Sequence, residues 1–486
     1  MASDIRVRLA PSPTGKLHIG TARTALFNYL FAKKHNGSFV VRIEDTDKER
    51  SNELFTKDIL EGLLWLGLGW DEGPEIGGRY GPYFQQERLE TYEQLTETLL
   101  AEKKAYRCYC STEELEQERA AQKTRGEAPK YSGRCRHLTG QAIDQFEREG
   151  RRAVIRFAVE PQIVGFKDLI RGPVEFDAGL FGDFVVVRSD GLPLFLYSNV
   201  IDDHLMQISH VLRGEDHLVN TAKQILLNEA LNFLSPEYGH FPLILNPDRS
   251  KMSKRKDPVS ITDDFRSRGF LPEALVNSLA LLGWSSGTDR ELYSLKELVD
   301  EFELERVGKS PSIFDLEKLT WMNGHYIRSL PIGEIASRAQ SFINDKKLFE
   351  KTIQRPDYFL EVVALTRDRI RQLDEIEELI GYFFNPPKYE AQLLIAKKSD
   401  KKRTLLALEA AGQALKPLKQ FGLDETEKTL RQAAADSQLK DGELLWAVRV
   451  ALSGKDASPG CFELLDILGK EESLKRLAAA RRRLSS

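Results

Sequence analysis

A chain of 486 residues is longer than one hydrophobic core organises, so several domains are required. A hydrophobic content of 41% with 30% charged residues is that of an ordinary globular protein, and a net charge of −4 excludes a partner recruited by gross electrostatics alone. Four cysteines exclude a disulfide scaffold, and the absence of an apolar leader or a run of membrane-spanning length leads us to expect a cytoplasmic protein with no membrane partner.

Ile5, Val7 and Leu9 alternate with Arg6 and Arg8, which predicts a first strand. The stretch "PSPTGKLHIG", Pro11 to Gly20, follows it; two prolines and two glycines fix or free the backbone and together shape a rigid loop. Ala22, Ala25, Leu26, Tyr29 and Leu30 then recur at helical spacing, with Gly37 as the expected C-terminal stop. "FVVRIED", Phe39 to Asp45, reads as a buried strand ending in acids. Strand, loop, helix and strand make a βαβ unit, hence a parallel sheet. The loop then lies at the carboxyl end of its strand and at a helix N-terminus, where such sheets bind ligands and where phosphate is attracted.

From Glu87 to Pro193 the pattern changes and reads as an insertion that interrupts the sheet, with strands at "AVIRFAV" and "DFVVVRSDG". Within it Cys108, Cys110, Cys135 and His137 form C-x-C-x24-C-x-H. Two tight pairs separated by a loop can close a tetrahedral site of three thiolates and one imidazole, which suits a structural Zn²⁺. Reduced thiols in a small subdomain are the alternative. "HVLRGED" and "FPLIL" resume the α/β character, and "NPDRSKMSKRKDP" follows as a loop. Beyond Phe265 nearly everything reads as helix, with the best internal break at Asn385 to Pro387. Residues 326–486 carry 28 Lys+Arg against 24 Asp+Glu, so a charge of +4 there leaves −8 on the remainder. "AKKSDKKR", Ala396 to Arg403, is the densest basic run in that part, although such runs are more often only solvated.

"KLHIG" and "KMSKR" lie about 230 residues apart, each just after a predicted strand. Lys251 and Lys254 can place two ammonium groups over one polyphosphate, His18 can hydrogen-bond a phosphate oxygen, and Gly15 and Gly20 allow close approach to the backbone. Such groups suit charge spreading over an α-phosphate and a leaving pyrophosphate. Taken singly, "KMSKRK" reads better as a solvated basic loop and His18 as a satisfied turn histidine; it is the two together, in matching strand-end contexts, that point to a ligand. Neither has the GxxxxGK[ST] pattern of a P-loop enzyme.

"PSPTGKLHIG" followed by Thr21, paired with "KMSKR", resembles the HIGH and KMSKS signatures of class I aminoacyl-tRNA synthetases. The similarity runs on through "RVRLAPSPTG", "VRIEDTD", "VIDDHLMQISHVLRGEDH" and "FPLILNPDRSKMSKR", and is to the bacterial glutamyl type over essentially the whole chain. Two positions depart from the signatures: Thr21 stands for the last histidine of the first, and Arg255 for the serine of the second.

That resemblance implies an α/β plus all-α architecture: a parallel Rossmann-type sheet in residues 1–86 and 194–250, an inserted acceptor-end-binding domain in 87–193, a stem-contact domain carrying the KMSKR loop in 251–325, and helical anticodon-binding subdomains in 326–384 and 385–486. It implies two steps. ATP with Mg²⁺ and L-glutamate form glutamyl-adenylate, with tRNA already bound, and a hydroxyl of the terminal adenosine of tRNA-Glu attacks it; some members also charge tRNA-Gln. A monomer is expected. His18, Lys251 and Lys254 would be catalytic, and Thr14, Gly15, His18, Gly20 and Lys254 would hold ATP. Arg8 and Arg213 suit the substrate carboxylates, since arginine offers a planar bidentate contact; Glu44 suits the ammonium and Ser12 adds a hydroxyl. Phe195 and Asn199 match the family's pocket positions, with Phe195 where tyrosine is common.

The rival readings fit less of the chain. A shortened paralogue that modifies a tRNA base lacks an anticodon region, whereas roughly 160 residues follow Gly324 here. Glutaminyl enzymes carry C-terminal β-barrels, small nucleotidyltransferases have one domain, and an RNA-binding module has no need of Lys251 and Lys254 near a phosphate loop.

Overall fold

The computed structural model describes residues 4–47, 49–250, 252 and 257–485. Lys251, Lys254 and Arg255 therefore lie outside the described residues. The chain divides into two compact units, residues 1–266 with 272–316, and residues 267–271 with 317–486.

In the first unit, strand β1 (Arg6–Leu9) pairs in parallel with β2 (Ser38–Val41), Arg8 opposite Val40. The connecting helix, Ile19–Lys34, buries residues all around its circumference. It does so because one side packs on the sheet, where Phe27 meets Phe241 edge-on at 4.9 Å and the Asn28 amide donates to the Leu212 carbonyl at 3.0 Å. Gly37 does not supply the left-handed residue after this helix. Asn36 does, at φ 52°, and Gly37 is glycine because a Cβ there would collide with the carbonyl oxygen of Ile5. The second strand also ends earlier than its apolar run suggests, at Val41, leaving Glu44 in irregular backbone.

The segment 87–193 builds a small antiparallel sheet from β3 (Ala105–Cys108), β4 (Val154–Phe157) and β7 (Phe184–Val187), in that order. It also extends the catalytic sheet, which the sequence did not suggest. Strand β5 (Ile163–Asp168) hairpins with β6 (Gly172–Asp177) and joins β9 (Glu237–Phe241) in parallel through Asp168 and Tyr238. Strand β9 lies parallel to β8 (His210–Gly214), with Arg213 directly opposite His240, so the order is β6–β5–β9–β8. The Ser209 N–H donates to the Arg6 carbonyl at 2.9 Å, placing β8 beside β1. "FPLIL" is not one strand. Its Phe241 closes β9, and only Ile244–Leu245 forms a short β10, parallel to β11 (Ser312–Ile313).

The second unit is helical from Leu316–Ser329 to Cys461–Ser485. Gly324 lies within the first of these helices, beside Asn323, whose side chain accepts from Leu271 N at 2.7 Å and donates to Arg371 O at 2.6 Å. The segment Asn385 to Pro387 is non-helical, directly after the helix Ile376–Phe384. In the basic run, Asp400 caps the helix Lys401–Leu415 and Arg403 makes a two-pronged pair with Glu443 at 2.8 and 2.7 Å. Among the described residues, no helix is long and apolar enough to cross a membrane.

Candidate functional site

The loop after β1 is rigid because it is pinned from both sides. The Pro11 carbonyl accepts from Glu44 N at 3.0 Å and that of Pro13 from Asn52 N at 3.1 Å. Pro11, Pro13 and Leu17 are buried anchors, while Ser12 and Thr14 between them are exposed. His18 is the N-cap of the helix Ile19–Lys34; its Nδ1 accepts from Thr21 N at 3.4 Å and its Nε2 lies 3.0 Å from the Thr21 hydroxyl. Gly20 has no side chain because the His18 ring lies over it, 3.2 Å from where a Cβ would stand. Ile19, Gly20 and Thr21 border the cavity described below, so the positive end of the helix dipole faces a ligand there.

The same loop is joined to the chain just after "KMSKR". Ile19 N donates to Val259 O and Ile261 N to Leu17 O, both at 2.9 Å, with His18 bridging Ser260. Two segments about 230 residues apart therefore meet at one place, although the lysines themselves lie outside the described residues.

A cavity of about 680 Å³ opens between them. Ser12, Thr14, Gly15, His18 and Gly20 of the loop line it together with Arg8, Glu44, Phe195, Asn199 and Arg213. All ten of the described residues expected at the ligand site from the sequence border this one space. Its size suits a small-molecule ligand.

Alternation sends the two arginines of β1 to different tasks. Arg6 donates to Glu72 at 2.8 Å and to Met206 O at 3.0 Å, and stacks on Tyr80. Arg8 reaches the cavity but is ion-paired with Asp203 at 3.2 Å and donates to Asn199 at 3.4 Å. Beneath it Arg42, fully buried, contacts Glu44, Asp202 and Asp203. Burial opposes its charge, but the three acids hold it protonated and raise its pKa. Burial pushes the Glu44 carboxyl up, against Arg42 and the Asn199 amide, which donates to it at 2.7 Å.

Arg213 differs from Arg8 in having only neutral partners: Thr221 at 2.7 Å, Gln224 at 2.5 Å and His240 at 3.5 Å. Burial, then repulsion from Arg8, lowers its pKa to about 10, so it stays charged at neutral pH. Its Nη1 is buried and has no hydrogen-bond partner among the described residues. Gln224 donates on to Asn199 at 3.0 Å, so an amide string runs from Arg213 to Glu44 and sets a cation and a carboxylate at its two ends. Phe195 opens the helix Phe195–Leu205 and packs against His217, ring centroids 5.3 Å apart.

Seven participants were missed from the sequence: Arg42, Asp168, Asp202, Asp203, Thr221, Gln224 and His240. Asp202 and Asp203 carried a usable signal, two adjacent acids inside the apolar "NVIDDHL". Arg42 carried one too, an arginine inside a buried strand run. Asp168 and His240 carried none, because only the β5–β9–β8 order brings them to Arg213.

In the insertion, Cys108, Cys110 and Cys135 converge, their sulfurs within 4.8 Å of one another. The Sγ atoms of Cys110 and Cys135 are 3.5 Å apart, close to the roughly 3.8 Å between two thiolates on one tetrahedral zinc. His137 is not in this group. The backbone turns at 134–137 and leaves it exposed, while the Tyr131 hydroxyl sits 3.4 Å from both Cys108 and Cys110. Hydrogen bonding from Cys135 first, then from Tyr131, lowers the Cys108 thiol against the burial that would raise it.

Known proteins are similar to this chain over its whole length. The family described as tRNA synthetases class I (E and Q), catalytic domain, matches residues 4–321, and the anticodon binding domain family matches residues 334–481. A glutamate–tRNA ligase of Moorella thermoacetica is 46% identical over 98% of both chains. One of Dehalococcoides mccartyi (strain 195) is 46% identical over 100% of this chain and 99% of its own. Among solved structures, a glutamate tRNA ligase from Elizabethkingia meningosepticum in complex with its amino acid superposes with a TM-score of 0.87 at 33% identity, covering 99% of this chain and 100% of the other.

Proposed function

The chain belongs to the class I tRNA synthetases of the glutamate and glutamine type, and on that premise we propose that it is a glutamate–tRNA ligase, joining L-glutamate to tRNA-Glu. ATP, entering as its Mg²⁺ complex, and glutamate form glutamyl-adenylate and pyrophosphate; a hydroxyl of the tRNA's terminal adenosine then attacks the acyl carbon and releases AMP. The observation that carries this reading is a single cavity lined both by the His18 loop and by Arg213 and Glu44.

Glutamate lies with one carboxylate on Arg213 and its ammonium on Glu44. Arg213 is the stronger receptor because Arg8 is already neutralised by Asp203. Ser12 and Asn199 supply polar contacts and Phe195 an apolar wall. ATP lies over Thr14, Gly15 and Gly20, with its phosphates between His18 and the ammonium groups of Lys251 and Lys254. Residues 1–86 and 194–250 carry the catalytic sheet, to which 87–193 adds β5 and β6; 87–193 also receives the acceptor end, 251–325 the stem, and 326–384 with 385–486 the anticodon. The protein acts as a cytoplasmic monomer.

The test is aminoacylation of separate tRNA-Glu and tRNA-Gln transcripts with each of the twenty amino acids. Only glutamate is expected to be joined, and to tRNA-Glu; charging of tRNA-Gln with glutamate would widen the anticodon set without changing the reaction. Joining of glutamine in preference to glutamate would overturn the assignment.

Zinc in the insertion is structural, held by Cys108, Cys110 and Cys135, with the Tyr131 hydroxyl in the fourth place that the sequence assigned to His137. The protein as purified should contain about one zinc per chain by elemental analysis. His137→Ala should keep it, and Tyr131→Phe should bind it more weakly. Metal-free protein of unchanged stability and charging rate would return the cysteines to plain reduced thiols.

A further inference from the structure

Behind Arg213 stands a buried pair that the proposed reaction does not use. Asp168 and His240 have fully buried side chains, with Asp168 Oδ2 2.5 Å from His240 Nδ1. The two oxygens of Asp168 are divided. Oδ1 accepts from the backbone N–H groups of Ile170 and Arg171 at 2.9 and 2.8 Å, and Oδ2 faces the imidazole. An ionised carboxylate only accepts, so Nδ1 carries the ring proton. Burial lowers the His240 pKa and keeps the ring neutral, which leaves Nε2 a bare acceptor. That acceptor lies 2.9 Å from the Thr221 hydroxyl and 3.5 Å from Arg213 Nε, and Thr221 in turn accepts from Arg213 Nη2 at 2.7 Å. The register makes this possible, because Arg213 and His240 are cross-strand partners on β8 and β9 while Asp168 ends β5 on the far side of β9.

We propose that Asp168 and His240 are positioning residues for substrate recognition. By fixing the tautomer of His240 they present an acceptor to Nε and, through Thr221, to Nη2 of Arg213, and so leave Nη1 as the donor for the glutamate carboxylate. This rests on the role proposed above for Arg213. The opposite tautomer would set an N–H against the Nε–H of Arg213 and turn the guanidinium from the cavity. A merely structural pair would tolerate either tautomer, provided the sheet stayed intact.

The test uses the full-length enzyme with tRNA-Glu and compares Asp168→Asn, Thr221→Val and Arg213→Lys. In Asp168→Asn the amide oxygen can keep the two backbone donors while its NH₂ faces Nδ1, forcing the proton to Nε2. Glutamate KM should rise on the order of tenfold, as for loss of a hydrogen bond to a charged group, with ATP KM and the ligand-free Tm little changed. Thr221→Val, nearly the same shape, should give the same split. Ring nitrogen shifts should report His240, one of eight histidines, protonated at Nδ1 in the unaltered protein and at Nε2 in Asp168→Asn.

The proposal is overturned if the unaltered ring is protonated at Nε2. It is equally overturned if Asp168→Asn and Thr221→Val leave glutamate KM unchanged while Arg213→Lys raises it. If Asp168→Asn does not fold, Thr221→Val decides alone. If Arg213→Lys itself leaves glutamate KM unchanged, the placement of glutamate on Arg213 falls, and this proposal with it.

Discussion

Adenylate formation is expected to slow by about 10²–10³-fold when Lys254 is replaced by alanine, and by a similar factor when His18 is, because each donor is aimed at charge that develops only in the transition state. Single-turnover measurement with tRNA-Glu present isolates that step, and ATP binding should weaken far less than the rate falls. His18 has a second task that must be separated from the first, since its ring accepts from Thr21 N as the helix N-cap. Losing that cap alone would cost about 1 kcal/mol of stability. His18→Asn restores a good capping group without an imidazole, so it should recover the Tm of the unaltered protein and remain slow. Adenylate formation at the unaltered rate in both Lys254→Ala and His18→Asn would remove the two loops from the chemistry.

Arg213→Ala is the second large effect. The substrate carboxylate would enter a desolvated pocket without its charged partner, a loss of about 2–5 kcal/mol. Glutamate KM should rise steeply while ATP KM stays nearly constant, because the role proposed for Arg213 is to hold the substrate carboxylate and that of the His18 loop to hold ATP. Arg8→Ala predicts a different defect. Asp203 and Arg42 would lose a member of a buried charge network, so the Tm should fall along with glutamate binding. Equal glutamate kinetics in Arg213→Ala and the unaltered enzyme would place the carboxylate elsewhere in the cavity.

Several elements were legible without any structure. Arg6–Leu9 is a strand because its pattern has period two, and Ile19–Lys34 is a helix because its apolar residues recur at helical spacing after a Pro/Gly loop. The strands β5, β6 and β9 were not legible. "IVGFKD", "GPVEFD" and "EYGHF" are short, rich in glycine or charge, and become strands only by pairing with one another and with β8. Gly37 shows the same limit on a smaller scale. A glycine after a helix suggests a left-handed stop, yet the approach of Ile5 decides it, and that contact is invisible along the chain.

The sequence by itself determined the two signature loops and the family they resemble, because these depend on side-chain type and local spacing; that resemblance in turn placed Arg8, Phe195 and Asn199 among the ten residues that border one cavity. Tertiary structure alone decided what each charge does there. Arg8 and Asp203 are 195 positions apart, and Asp168 and His240 are 72 apart. Coulomb energy depends on separation in space and on burial, so no spacing in the sequence could reveal that Arg8 is ion-paired with Asp203 while the hydrogen-bond partners of Arg213 among the described residues are neutral. His137 makes the same point for metal chemistry. A histidine two residues after a cysteine is a ligand in a pattern, but a turn at 134–137 leaves it exposed, and the Tyr131 hydroxyl meets the sulfurs instead.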